Sequence, residues 1–381
     1  MERFMTKDFP PHCKRVFGLD LLRATAILLV VLHHGSQLYP IPLPPVPDGV
    51  DIFFVLSGYL IGGILIKTAE KKQDFFWTDL KTFWFRRWLR TLPAFWVTLL
   101  INFVVYFFIN LQTQTSKDTL KLMILKEKLW EYFFFIQNFA SNLRSRFFAE
   151  SWSLSVEEWF YLLLPIFILF LMKCGLKFSK AIFLSILIII IFPILLRFYF
   201  SDIHSKFSWL STRMVVVMRV DSIGCGVLMA FIRFYKPKIW DILANYKSLI
   251  LLGVIIFYGS FLIIFMGHEY LNSSVLTNLF FYTLTNIGVM LVIPAMSKMV
   301  AKDTLFEKVI TFISLTSYSI YLLNYSIIVA LIQIIRPDPA TRMEEFRSLI
   351  VYLITTFGAS YLMYDFVELP FMRLRDKYFS A

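Results

Sequence analysis

Apolar residues in this chain fall in blocks near the twenty-residue length that crosses a hydrocarbon core of about 30 Å, and no other feature constrains the fold as much. The stretch 182–193 reads IFLSILIIIIFP, without a single charge. Ten such blocks can be marked, at about 19–38, 49–67, 92–111, 152–173, 181–200, 214–234, 248–266, 276–299, 310–334 and 347–369. A segment in lipid must satisfy its own backbone polar groups, and a helix does so internally. The expectation is an all-α, polytopic transmembrane helical bundle of about ten spans. It is read as a single membrane-embedded domain over residues 1–381, with no fused soluble domain. Composition agrees, since 58% of residues are hydrophobic and only 17% charged, against about 25% charged in soluble domains.

The net charge of +12 would point to nucleic acid in a soluble protein. Here Lys and Arg gather in short connections, so membrane lipids are the expected partner and nucleic acid is not. Most of them lie on the side bearing the N-terminus, which places that terminus in the cytoplasm; an even number of spans returns the C-terminus to the same side. The connection 112–151 is the only long one, and its piece LWEYFFFIQNF is too short to cross and is expected at the interface. The proline-rich YPIPLPPVPDG, residues 39–49, reads as a stiff link. Cys13, Cys174 and Cys225 are odd in number and widely spaced, implying neither a disulfide framework nor a metal site.

Ionisable residues inside apolar spans are costly and mark function or internal pairing. In the first span Arg23 and His34 are eleven residues apart. At about 100° and 1.5 Å per residue they share one stripe, about 16 Å apart along the axis, while His33 points about 100° away from His34. The pair offers a cation for an anionic ligand and a titratable base; the structural alternative is a snorkelling Arg23 paired with Asp20 and a satisfied core histidine. FWFRRWLRTLPAFW puts Arg86, Arg87 and Arg90 on an amphipathic helix feeding the third span. They serve either as positive-inside anchors or as a phosphate clamp, since guanidinium forks suit phosphate oxygens.

ESWSLSVEEWFYLLLP, at the outer start of the fourth span, carries Glu157 and Glu158. A capping box from Ser155 to Glu158 explains one of them; as functional groups they would orient a histidine or deprotonate a hydroxyl. In the sixth span Arg219 and Asp221 diverge by about 160° and cannot pair with each other, so each needs a partner on another span. Asp48 and Asp51 open the second span, whose small residues read as packing surface, like Gly224 and Gly226. Sorted by depth, the arginines at 23, 86, 87 and 90 face the cytoplasm, and His34, Asp51, both glutamates, Arg219 and Asp221 lie in the outer half. A phosphate-rich donor from inside and an acceptor waiting outside fit that division.

In this order LDLLRATAILLVVLHH, GVDIFFVLSGYLIGGIL, FRRWLRTLPAFW, SWSLSVEEWFYLLLP, RVDSIGCG, LTSYSIYLLNYSI and VELPFMRLR resemble the membrane-bound acyltransferase-3 family, which O-acetylates bacterial cell-surface glycans. The family's Arg-x10-His element falls on Arg23 and His34, and its Arg-x-x-Arg element on Arg87 and Arg90. The resemblance implies a bacterial inner-membrane enzyme that moves an acyl group, usually acetyl, from cytoplasmic acyl-CoA to a sugar hydroxyl. The acceptor would be a lipopolysaccharide O-antigen or another exported saccharide. Arg23, Arg86, Arg87 and Arg90 would hold the phosphates of acetyl-CoA, with no metal. His34 would act as general base or transient acyl carrier, and Glu157 or Glu158 would orient the imidazole or the sugar. Asp51, Arg219, Asp221 and Asn324 are candidates for binding or orienting substrate. One departure stands out: where the family usually reads Tyr-Leu-x-His, this chain has YLLN, with Asn324 at the histidine position. The competing class is a proton-coupled transporter or glycolipid flippase, which also uses buried charges, although neither repeat symmetry nor paired broken segments is visible here.

Overall fold

The computed structural model describes residues 15–39, 47–72, 77–113, 128–140, 147–203, 212–266, 275–336 and 341–379. Cys13, most of the proline-rich link and segments 114–127 and 141–146 of the long connection lie outside the described residues. Among the described residues the chain is helical, with no strand.

The first span is α1, Phe17–Gly35, followed by α2, Gly49–Lys72, and α3, Trp77–Thr113. The interfacial piece forms the short α4, Leu129–Phe133. Then come α5, Ser151–Lys173, α6, Phe178–Ile203, α7, Val220–Tyr235, α8, Pro237–Asn245, and α9, Lys247–Met266. The last third holds α10, Val275–Met296, and α11, Leu305–Leu323, which runs through a π-helical turn at Asn324–Val329 into α12, Ala330–Ile335. It closes with α13, Arg342–Met363, a second π-helical turn at Tyr364–Glu368, and α14, Leu369–Tyr378. Thr304 caps α11 in a reciprocal box with Glu307, satisfying orphan amides of the first turn. Pro93, Pro165, Pro193 and Pro294 all sit inside long helices, where neighbouring helices and local adjustments compensate for the lost amide.

Every expected block meets a helix, but the count changes. By length and composition, eight helices among the described residues can cross a membrane, and the pair α8–α9, bent by 80°, raises this to nine if it forms one span. The expected sixth block falls short because a 3₁₀ turn at Val216–Met218 interrupts it, leaving α7 with 16 residues. That turn is tied down from α6, where Arg197 donates to the Met218 carbonyl at 2.5 Å.

α2 and α7 pack through glycine. A Cβ on Gly58 would enter the Ile223 carbonyl, and one on Gly226 would enter that of Val55. Both obstacles are backbone, so neither can give way without moving a helix, and the small residues allow the close approach that association in lipid requires. Gly58→Ala should therefore destabilise the detergent-solubilised protein by the roughly 1–3 kcal/mol that overpacking costs, read as a lower thermal midpoint. An unchanged melting curve would refute this role for Gly58.

Candidate active site

α1 carries its two candidate residues into two different cavities. Arg23, one turn and a half into the helix, lines the first with Arg87, Arg90, Ser57, Glu157 and Tyr318. His34, at the far end, lines the second with His33, Asp48, Glu150, Arg213 and Tyr325. The empty volumes are about 790 Å³ and 610 Å³, counted to their open mouths. Val50 and Tyr321 line both. The Tyr321 hydroxyl bonds Ser153 at 2.7 Å and donates to the Glu150 carbonyl at 3.1 Å, so the partition between them is braced by the start of α5.

The first cavity is rich in cations. Arg23 makes only long contacts, 3.5 Å to Asp20 and 3.4 Å to Ser314, while Asp20 is gripped by Arg15 at 2.5 Å. The Arg87 guanidinium lies 4.3 Å over the Tyr161 ring, and its buried Nε has no partner among the described residues. Three guanidiniums thus line the space with one carboxylate, Glu157, which accepts from the Tyr161 hydroxyl at 2.9 Å. Such an excess of forked donors matches an anion with several oxygens. Arg86 is placed elsewhere. It reaches α14, pairing with Asp376 at 3.6 Å and donating to the Phe379 carbonyl.

In the second cavity Asn324 is fixed by its own helix. Its amide nitrogen donates to the carbonyls of Ile320 and Tyr321 at 2.7 and 2.9 Å. The side-chain oxygen is therefore turned to His34, which donates to it from Nδ1. This bond assigns the tautomer and leaves Nε2 as the basic atom of a neutral ring. Tyr325, the next residue on the π-helical turn, stacks on the imidazole at 4.5 Å. The residue that departs from the family pattern is thus the direct partner of the histidine. At the cavity's edge Asp48 pairs with Arg213. Burial alone would raise the Asp48 carboxyl, and the adjacent guanidinium overrides it and holds it below the usual range.

Glu158 is buried and accepts from Thr91 at 2.9 Å. No capping box forms with Ser155, because α5 starts at Ser151 and Ser155 donates back to the Ser151 carbonyl at 3.2 Å, inside the helix. Arg219 and Asp221 each find a partner on another helix: Arg219 pairs with Asp51 of α2 and lies 3.6 Å over the Tyr282 ring, and Asp221 pairs with Arg197 of α6 at 2.7 Å. None of these four lines either cavity. Cys174 is exposed and Cys225 buried, both with free thiols. Among the described residues no three His, Cys, Asp or Glu side chains converge as metal ligands.

Two features went unread in the sequence: the shared wall at Tyr321, and Glu150, buried against the second cavity. Glu150 opens the ESWSLSVEEW stretch already marked for its later glutamates, but its contacts are to backbone amides of a distant turn, which leave no mark in side-chain spacing.

A bundle of apolar helices thus holds an arginine cavity and a histidine cavity on either side of one wall. The chain belongs to the family described as "Acyltransferase domain" (Acyl_transf_3), whose model matches residues 16–365. It is similar to the O-acetyltransferase OatA of Staphylococcus aureus, with 28% identity over 96% of this chain and 58% of the relative. It is also similar to the peptidoglycan O-acetyltransferase OatA of Listeria monocytogenes, with 34% identity over 42% of this chain and 25% of the relative. The chain thus spans little more than half the length of the Staphylococcus protein. No solved structure matches it.

Proposed function

We propose that this chain is an O-acyltransferase that moves an acyl group, most simply acetyl, from cytoplasmic acyl-CoA to a hydroxyl of a cell-surface glycan. One observation carries the reading: the cation-lined cavity and the histidine cavity open off opposite ends of α1 and share only Val50 and Tyr321 among their lining residues. In the proposed reaction Arg23, Arg87 and Arg90 hold the phosphates of the donor, and its thioester reaches the partition. The acceptor hydroxyl attacks the thioester carbon while His34 Nε2 takes its proton. The C–S bond breaks, the thiolate of CoA takes the proton back from the imidazolium, and an ester remains on the sugar. Placing this in a bacterial cytoplasmic membrane, with both termini inside, rests on the bias of Lys and Arg to one side. The name of the Listeria relative favours peptidoglycan over a lipopolysaccharide O-antigen as acceptor.

The test is transfer of labelled acetyl from acetyl-CoA to a glycan extract by purified protein in lipid vesicles. A carrier would leave acetyl-CoA intact, whereas the enzyme cleaves it slowly even without acceptor. Folded protein that neither transfers label nor hydrolyses any of several acyl-CoA donors would end the acyltransferase reading. Within the same assay Arg23→Ala and Arg90→Ala should raise the KM for acetyl-CoA. Losing a charged hydrogen bond costs about 1.5–3 kcal/mol, or roughly ten- to a hundredfold. A donor KM unmoved in both variants would dismiss the phosphate clamp.

A further inference from the structure

Glu150 is 2% exposed and lines the histidine cavity. One carboxylate oxygen, Oε1, accepts from the backbone amides of Tyr325 and Ser326, at 3.0 and 2.7 Å. Those amides belong to the π-helical turn, Asn324–Val329, that also supplies both neighbours of the catalytic imidazole, the hydrogen-bonding Asn324 and the stacking Tyr325. The other oxygen, Oε2, is buried and makes no hydrogen bond of normal geometry among the described residues; the Ser326 hydroxyl, likewise unpaired, is the one side-chain donor that bears on this carboxyl. A buried carboxylate oxygen without a donor is a costly arrangement in a folded protein. The cavity offers it no free cation, because Arg213 is engaged by Asp48.

We propose that Glu150 is an acceptor-binding residue: Oε2 receives a hydrogen bond from the glycan, through a hydroxyl or an acetamido N–H next to the reacting hydroxyl, and so presents that hydroxyl to His34. This rests on the acyltransferase reading and deepens it by giving the sugar its own carboxylate. The chemistry fits a ligand that donates hydrogen bonds. It does not fit a phosphate or free carboxylate at that spot, which Oε2 would repel. Oε1 meanwhile locks the π-helical turn, so one side chain sets both the imidazole's surroundings and the sugar's position.

Burial pushes the Glu150 carboxyl up to about 7, against hydrogen bonds from the Ser326 amide and hydroxyl, its own backbone and the Tyr325 amide, which draw it down. The folded chain therefore holds an extra proton between the ordinary value of 4.5 and about 7, and its stability falls as pH rises through that window. Glu150→Gln keeps an oxygen for the two amides and removes the titrating group, so the variant should fold at least as well as the wild type above neutral pH.

The experiment measures acetyl-CoA hydrolysis without acceptor and acetyl transfer to a peptidoglycan disaccharide, N-acetylglucosaminyl-N-acetylmuramic acid, by wild type and E150Q in vesicles. E150Q turns an N–H₂ toward the sugar's donor, so the KM for the disaccharide should rise at least tenfold, with the KM for acetyl-CoA within twofold of wild type. An unchanged acceptor KM overturns the assignment. So does an equal rise in the KM values for donor and acceptor, which is what a purely structural role would give. If E150Q does not reach the membrane, E150D, which withdraws the carboxylate by one methylene, must show the same split. A wild type active on this probe with an indifferent E150Q sinks only the role of Glu150, whereas a wild type without transfer or hydrolysis sinks both.

Discussion

His34→Ala should abolish acyl transfer while leaving the amount of folded protein in the membrane unchanged. A positioned general base contributes about 10²–10⁴-fold, and among the described residues no other imidazole meets Asn324, so no neighbour takes over. His33 lines the same cavity but is exposed and lacks the Asn324 bond that fixes a tautomer. His33→Ala should therefore stay within a few-fold of wild type. The readout is the rate of label entering glycan, with protein level followed by size-exclusion chromatography. An essential His33 beside a dispensable His34 would mean that the Nδ1–Asn324 contact has been misread as catalytic. Asn324→Asp and Asn324→His offer a finer comparison. Each changes what Nδ1 faces, and transfer should follow the variant's ability to accept that proton.

Arg219→Ala should have the largest effect on folding. The guanidinium is 1% exposed, pairs with Asp51 across from α2, and lies over Tyr282 of α10 at 3.6 Å. Removing it leaves the Asp51 carboxylate buried without its partner, and a broken buried pair costs about 3–5 kcal/mol. That is a large share of the roughly 5–15 kcal/mol that holds a typical domain folded. The variant should reach the membrane poorly and melt well below wild type in detergent. The double variant Arg219→Leu with Asp51→Leu should recover much of the stability, because replacing both charges by apolar groups is often neutral. Loss of transfer in a stably folded double variant would instead place the pair in acceptor recognition.

What could be read from the chain, and what could not, divides along the same physical line. The stripe joining Arg23 to His34 is a property of one helix, and eleven residues at a helical period put both on the faces where the cavities open. Arg87 and Arg90 were legible as a pair for the same reason. Arg86, equally basic and next in line, is drawn instead to Asp376 and Phe379 near the C-terminus. Which member of a basic run turns inward depends on a helix nearly three hundred residues away. Arg219 and Asp221 showed only that each needed a partner; which residues those were is a matter of packing between α2, α6 and α7. Glu150 was least legible, since its role depends on an irregular turn whose amides are freed only because the helix carrying Asn324 widens there. Hydropathy does not register the turn at Val216–Met218, which shortens the helix in the block 214–234.

Val50 and Tyr321 have one more consequence, which concerns the cell rather than the reaction. If the two recesses open to opposite faces of a membrane, as the proposed function requires, only Val50 and Tyr321 line both and stand between them. The Tyr321 phenol is pinned to Ser153 and the Glu150 carbonyl, so this part of the partition is held in place. In the proposed reaction the acetyl group would have to pass that phenol, and a longer acyl chain would need more room there. The same two side chains would then serve as electrical insulation and as the gauge that keeps the transferred group small.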